Sequence, residues 1–168
     1  MNRRRVLTLA GASASVPGGY VAWNWYRSPS LPDGMDVETL YVSGDVFGEP
    51  APPDRDLGSR EERHRVIEDE ETGADEITFD DSAITFVEET DFDASSLVVV
   101  QTGMQTEPNL ALEAVSRTDD GLHLDVTVEH PWWRGVNDDL GIHSLLVRVT
   151  DERAEALESV SVAIEGYV

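Results

Sequence analysis

The chain has 168 residues, 40% of them hydrophobic, and carries a formal net charge of −22 with no cysteine. That apolar share is too high for a disordered acidic polymer, so the acids sit on a folded surface, and the length fits one domain plus an anchor. The charge speaks against nucleic acid as a partner, because phosphate binding needs a basic face. The missing cysteine excludes disulfides, thiol catalysis, thiolate zinc sites and His-Cys copper sites.

The charge is unevenly placed. Residues 1–32 carry four arginines and no acid, whereas the other 136 carry all 34 acids against eight arginines, a net −26. Arg3, Arg4 and Arg5 precede 21 uncharged residues from Val6 to Tyr26, which at about 1.5 Å per residue span the roughly 30 Å of bilayer hydrocarbon. Tyr20, Trp23, Trp25 and Tyr26 lie at the outer end, as an aromatic interfacial belt would. Pro17, Gly18 and Gly19 weaken that helix midway.

Asn2-Arg3-Arg4-Arg5-Val6-Leu7 resembles the twin-arginine export motif, which implies export in the folded state. Leu9-Ala10-Gly11-Ala12 is similar to a lipoprotein signal, but Ala12 stands where the lipid-bearing cysteine must be, so lipid attachment is excluded. Ala10-Gly11-Ala12 and Ala12-Ser13-Ala14 fit a small-x-small cleavage site, yet each leaves an apolar region shorter than the usual ~7 to 15 residues. The expectation is a signal or transmembrane helix over 1–27, retained as a single-pass anchor with the C-terminal domain outside. Secretion after cleavage is the alternative.

Residues 28–34, Ser-Pro-Ser-Leu-Pro-Asp-Gly, read as a turn-rich tether, and 35–168 as one acidic β-sandwich domain. Val37 to Val42 is a first apolar run, followed by a Pro-containing loop, Gly48 to Pro53, that cannot be a central strand. Ser59-Arg60-Glu61-Glu62 fits a capping box and predicts one short helical turn. The charge mixture from Arg60 to Glu71 reads as a solvated loop or edge strand, with a partner-binding patch as the alternative. Ile77 to Phe79 and Ile84 to Val87 predict short strands, and Leu97-Val98-Val99-Val100 is a continuous run of the kind buried on both faces.

Leu110 to Val115 and Leu122 to Val128 flank Thr118-Asp119-Asp120-Gly121, a hairpin turn in which Gly121 can take a positive φ. Leu122, Leu124, Val126 and Val128 alternate with His123, Asp125, Thr127 and Glu129, giving one core face and one wet face. Leu145, Val147 and Val149 repeat the pattern, as do Val160, Val162 and Ile164. With almost no helical periodicity, the reading is all-β: an antiparallel β-sandwich or barrel of about eight strands. Asp91-Phe92-Asp93, Leu97 to Gly103, the hairpin and His143 to Val149 make residues 84–150 resemble the protease-complex-like (PrcB C-terminal type) β-domain of exported bacterial proteins. That resemblance implies a small exported module acting through protein contacts, and carries no catalytic residues over.

Candidate chemistry is sparse. His123 and Asp125 share one face of a strand, which suits a metal or a carboxylate-oriented base, although the same alternation leaves them on the solvent side. His130 has the opposite parity, His64 and His143 lack ligand spacing, and no His-Glu-x-x-His motif occurs. Asp119-Asp120 and Asp138-Asp139 are acid pairs without an EF-hand pattern, so His123, Asp125, Asp138 and Asp139 are only weak metal candidates and no cofactor is expected. No Gly-x-Ser-x-Gly elbow is present. In Pro131-Trp132-Trp133-Arg134 adjacent tryptophans on a loop point in different directions, so one closes the core while the other, beside Arg134, is available to a protein or a sugar. Both rings plugging the sandwich end is the leading reading, and the binding loop is its alternative.

All twelve basic residues are arginine, and acids outnumber them about threefold, which resembles a haloarchaeal proteome. In about 1 M salt the Debye length is only ~3 Å, so neighbouring carboxylates hardly repel, whereas at ~0.01 M it is ~30 Å. The acidity is then a solvent adaptation. The expected function is a non-catalytic extracytoplasmic module, tethered to the membrane, that binds an envelope protein or polysaccharide. The alternative is a metal-binding or hydrolytic accessory enzyme.

Overall fold

The computed structural model describes residues 28–48, 57–105, 108–130, 139–153 and 159–167. Among these residues, seven strands and two short helices follow in the order β1 (Met35–Val42), β2 (Glu62–Ile67), α1 (Glu70–Glu76), α2 (Asp81–Glu88), β3 (Ser95–Gln105), β4 (Asn109–Arg117), β5 (Gly121–Glu129), β6 (Leu140–Asp151) and β7 (Ser159–Glu165). They build a four-stranded sheet, β1-β6-β3-β2, and a three-stranded sheet, β4-β5-β7. The chain is predominantly β, and its two sheets remain open at their edges.

Three layers result. Val98, Val100, Leu112, Leu124, Leu145 and Val147 meet between the sheets. On the far side of the four-stranded sheet, Leu97, Val99 and Leu146 pack against Ala83 and Val87 of α2. The continuous run in β3 is therefore apolar because both faces are covered, with even residues serving one core and odd residues the other. Arg148 fastens the helical layer: its Nε donates to Thr90 Oγ1 at 3.0 Å, an NH2 donates to Phe86 O at 2.7 Å, and its guanidinium lies 4.3 Å from the Phe86 ring centre.

The hairpin stands where periodicity put it, closed by Thr118 N donating to Gly121 O at 2.9 Å. Gly121 does not take a positive φ. Glycine is needed there for another reason, since a Cβ would lie 1.9 Å from Ser159 O where β7 pairs with β5. The alternating face of β5 also stands, with Leu122, Leu124, Val126 and Val128 all buried.

Four expectations are corrected. β5 pairs with β7 in parallel, not antiparallel. β6 lies between β5 and β7 in the chain but belongs to the other sheet, so the two are joined by a crossover and not by a hairpin. Ile84 to Val87 is helical: Asp80 caps α2 by accepting from Ser82 N at 2.9 Å and Ala83 N at 3.0 Å, and Ala83 and Val87 repeat at helical spacing toward the sheet. Ile77 makes only an isolated bridge with Phe47. The Ser59 to Glu62 stretch forms no helix. Arg60 takes a φ of 63°, Gly58 N donates to Glu61 Oε2 at 2.7 Å, and the turn feeds directly into β2, an edge strand.

Residues 28–34 lie against the sandwich. Ser30 N donates to Glu113 O at 2.8 Å and Val115 N to Ser30 O at 3.0 Å, at the point where β4 shifts register between Leu112 and Ala114. Arg117 then ties this edge to the other sheet through both carboxylate oxygens of Asp151, at 2.9 and 2.7 Å, and this partner holds the Asp151 carboxyl below its ordinary range. The leader, with Arg3, Arg4, Arg5, Val6 and Leu7, lies outside the described residues. Among those residues no helix is long and apolar enough to cross a membrane.

Candidate functional site

Period-two alternation puts the wet residues of β5 on the outer face of the three-stranded sheet, and parallel pairing sets His123 opposite Ser161. His123 Nδ1 is 2.7 Å from Ser161 Oγ, and His123 Nε2 is 3.2 Å from Asp125 Oδ1. With Nε2 donating to the carboxylate, Nδ1 is left to accept from the serine hydroxyl. The sequence thus placed His123 and Asp125 together correctly and missed Ser161, 38 residues away. The order of ring nitrogens is the reverse of that in Ser-His-Asp hydrolases, where the hydroxyl meets Nε2. The pair is open, with side chains 33% and 47% exposed.

Beside it Asp125, Glu113, Glu129 and Glu165 rim a depression of about 570 Å3 floored by Ala111 and Ala114. Among the described residues no group of three His, Cys, Asp or Glu side chains could hold a metal ion. Asp139 is exposed just before β6, while Asp138, Trp132, Trp133 and Arg134 lie outside the described residues. His130 Nε2 meets Gly166 O at 3.0 Å, away from His123.

A second polar group lies inside the sandwich. His143, 1% exposed on β6, has its Nδ1 2.6 Å from Tyr41 Oη, and the two rings stack with centres 6.0 Å apart. Burial pushes the Tyr41 phenol up to about 12 and the His143 imidazole below its ordinary range. His143 Nε2 has no hydrogen-bond partner among the described residues.

The third group lies on the helical side of the four-stranded sheet, where Arg63 and Arg65 share the face of β2 that carries Ile67. Arg63 Nε donates to Gln101 Oε1 at 2.6 Å, and its NH2 stands 3.3 Å from Asp45 Oδ2. Gln101, fully buried, donates through Nε2 to Asp45 Oδ1 at 2.9 Å and to Ser144 Oγ at 2.7 Å. Ser144 in turn donates to Gly44 O at 2.6 Å. Arg65 pairs with Glu76 Oε1, while Glu76 Oε2 is buried without a partner among the described residues. These side chains border a depression of about 310 Å3, with Phe47 and His64 at its margin. The network joins residues up to 100 positions apart, which no local spacing could have revealed.

His64 also has a structural part, its Nε2 meeting Val160 O at 2.9 Å across the gap between β2 and β7. Comparison of the chain with protein-family models, with curated proteins and with solved structures finds no match.

Proposed function

We propose that the protein is a non-catalytic binding module, held at the outer face of the membrane by residues 1–27 and engaging an envelope protein or polysaccharide. The observation that carries this reading is the charge split: an arginine cap and an uncharged leader precede a domain of net −26. Arg3, Arg4 and Arg5, with Val6 and Leu7, serve as topology and export signal. The resemblance of residues 84–150 to the protease-complex-like β-domain supports the same kind of role, and the haloarchaeal composition accounts for the acids.

Support also comes from how the polar side chains are used. Arg117, Arg148, Gln101 and His64 each join separate strands or layers, so they work as fastenings in a rigid frame. We assign contact with a partner to Trp132, Trp133 and Arg134, residue types that suit either a protein surface or a sugar face. Crosslinking in intact envelopes at native salt, followed by recovery of the protein, tests the reading: specific envelope components should be recovered with it. Recovery of the protein alone would oppose it.

A second reading has one specific observation behind it, the hydrogen bonds from Ser161 and Asp125 to His123. In that reading His123 Nδ1 takes the Ser161 proton and the domain is a hydrolytic accessory enzyme of the envelope. Turnover of simple esters that disappears in Ser161→Ala would favour it, and equal background rates in both proteins would remove it.

A further inference from the structure

We infer that the end of the sandwich at which β4 and β6 begin rests on the bilayer surface, with Leu140 inserted at the level of the headgroups. This rests on the reading of residues 1–27 as a membrane anchor and adds which end of the domain the membrane meets. Ser30 bridges Ala114 in parallel, through Ser30 N to Glu113 O at 2.8 Å and Val115 N to Ser30 O at 3.0 Å. The chain before Ser30 therefore comes from the end where β4 starts, at Asn109. Beyond Leu31 it turns at the opposite end, where Met35 N donates to Pro32 O at 3.2 Å. There Arg117, the last residue of β4, donates to Asp33 O at 3.1 Å.

Length then fixes the distance. A span that ends at Tyr26 leaves only Arg27 before Ser28. Two Cα steps of ~3.8 Å cover roughly 8 Å at most. Ser28 borders the same depression as Ala111 and Leu112. Those residues stand just past the start of β4, roughly 7–10 Å from Asn109 at ~3.3 Å per residue. The outer end of the anchor and this end of the domain therefore meet, with no free linker between them.

Pairing register gathers the same end in both sheets. Asn109 pairs with Glu129 and Gln105 with Leu140, and the Tyr41 hydroxyl donates to Pro108 O at 3.3 Å. Leu140 is 51% exposed there. Among the described residues the other exposed large hydrophobic is Phe79, just before the Asp80 cap of α2 in the helical layer. A single exposed leucine is ordinary in itself, and its place at the anchored end is what gives it a role. An apolar side chain at that height enters the boundary between headgroups and acyl chains. Glu129, Asp139 and Glu165 stand at the same end, and in about 1 M salt their repulsion of lipid phosphates is confined to ~3 Å. The connection from β5 to β6 leaves after His130 and returns at Asp139, both at this end. An envelope partner met there is one that reaches the bilayer surface.

Because the chain has no cysteine, a single replacement can be labelled uniquely. The test puts a fluorophore on Leu140→Cys, Asn109→Cys or Arg153→Cys, all exposed positions, in the full chain. The protein is reconstituted in vesicles of equal parts phosphatidylcholine and phosphatidylglycerol in about 2 M KCl, and lipids with a nitroxide at the headgroup act as quencher. Arg153 follows β6, whose 12 residues set it roughly 40 Å from Leu140 at ~3.3 Å each. Labels at Leu140 and Asn109 should be quenched several-fold more than the label at Arg153. Adding Leu140→Asp should weaken the quenching at Asn109, which separates insertion of the leucine from any affinity of the fluorophore for lipid. Equal quenching at the two ends, stronger quenching at Arg153, or an indifferent Leu140→Asp would overturn the inference. Flotation of the same samples separates the two levels. A chain that floats with the vesicles without contrast between its ends keeps its anchor and loses this orientation, whereas a chain that does not float loses both.

Discussion

His143 sits where a charge is least tolerated, inside the sandwich against the Tyr41 phenol, and burial holds its imidazole neutral. The folded pKa is therefore below the ordinary value of about 6.5. Between the two values the unfolded chain binds a proton that the fold does not, so stability rises with pH through that window and is lost as pH falls below about 6.5. Chemical denaturation in molar salt at a series of pH values should show that slope, and His143→Gln should flatten it. An unchanged slope in the variant would assign acid sensitivity elsewhere. Gly121 makes a second residue-scale prediction. Gly121→Ala should destabilise the fold by about 1–3 kcal/mol, the range for forcing extra atoms into a packed site, because the added Cβ meets the backbone carbonyl of Ser159. A neutral effect on the denaturation midpoint would show that β7 can move away.

At the scale of elements, the four-stranded sheet is the structural centre because it is covered on both faces. Leu97 points to the helical layer and Leu124 to the space between the sheets, and both are fully buried. Leu97→Ala and Leu124→Ala should each cost about 2–5 kcal/mol in denaturant unfolding. A negligible cost at Leu97 would mean that the helices are a loose addition. The β4–β5 hairpin and the doubly buried β3 were legible in the sequence, since period-two alternation and an unbroken apolar run encode them locally. α2 was not, because Ile84, Thr85, Phe86 and Val87 favour strands, and tertiary burial of Ala83 and Val87 with an Asp80 cap overrides that preference. The parallel β5–β7 pairing was equally hidden, because periodicity gives faces and not neighbours. Hence His123 and Asp125 could be paired from the sequence, while Ser161 and the Asp45-Gln101-Ser144 network could not.

For the whole molecule, the net charge of −22 is the dominant physical fact. In dilute buffer, with a Debye length of tens of ångströms, its carboxylates all repel, and in brine only near neighbours do. The domain should lose far-UV CD signal or melt at lower temperature in about 50 mM salt than in about 2 M salt, and equal stability in both would remove the solvent-adaptation reading. On the proposed reading of the acids as a solvent adaptation, function rests on a partner in the envelope. Co-sedimentation of the purified protein with isolated envelopes in molar salt tests this most directly. The account predicts saturable retention that falls when Trp132 and Trp133 are replaced by alanine without a change in CD. Retention no greater than that of an inert acidic protein would contradict it.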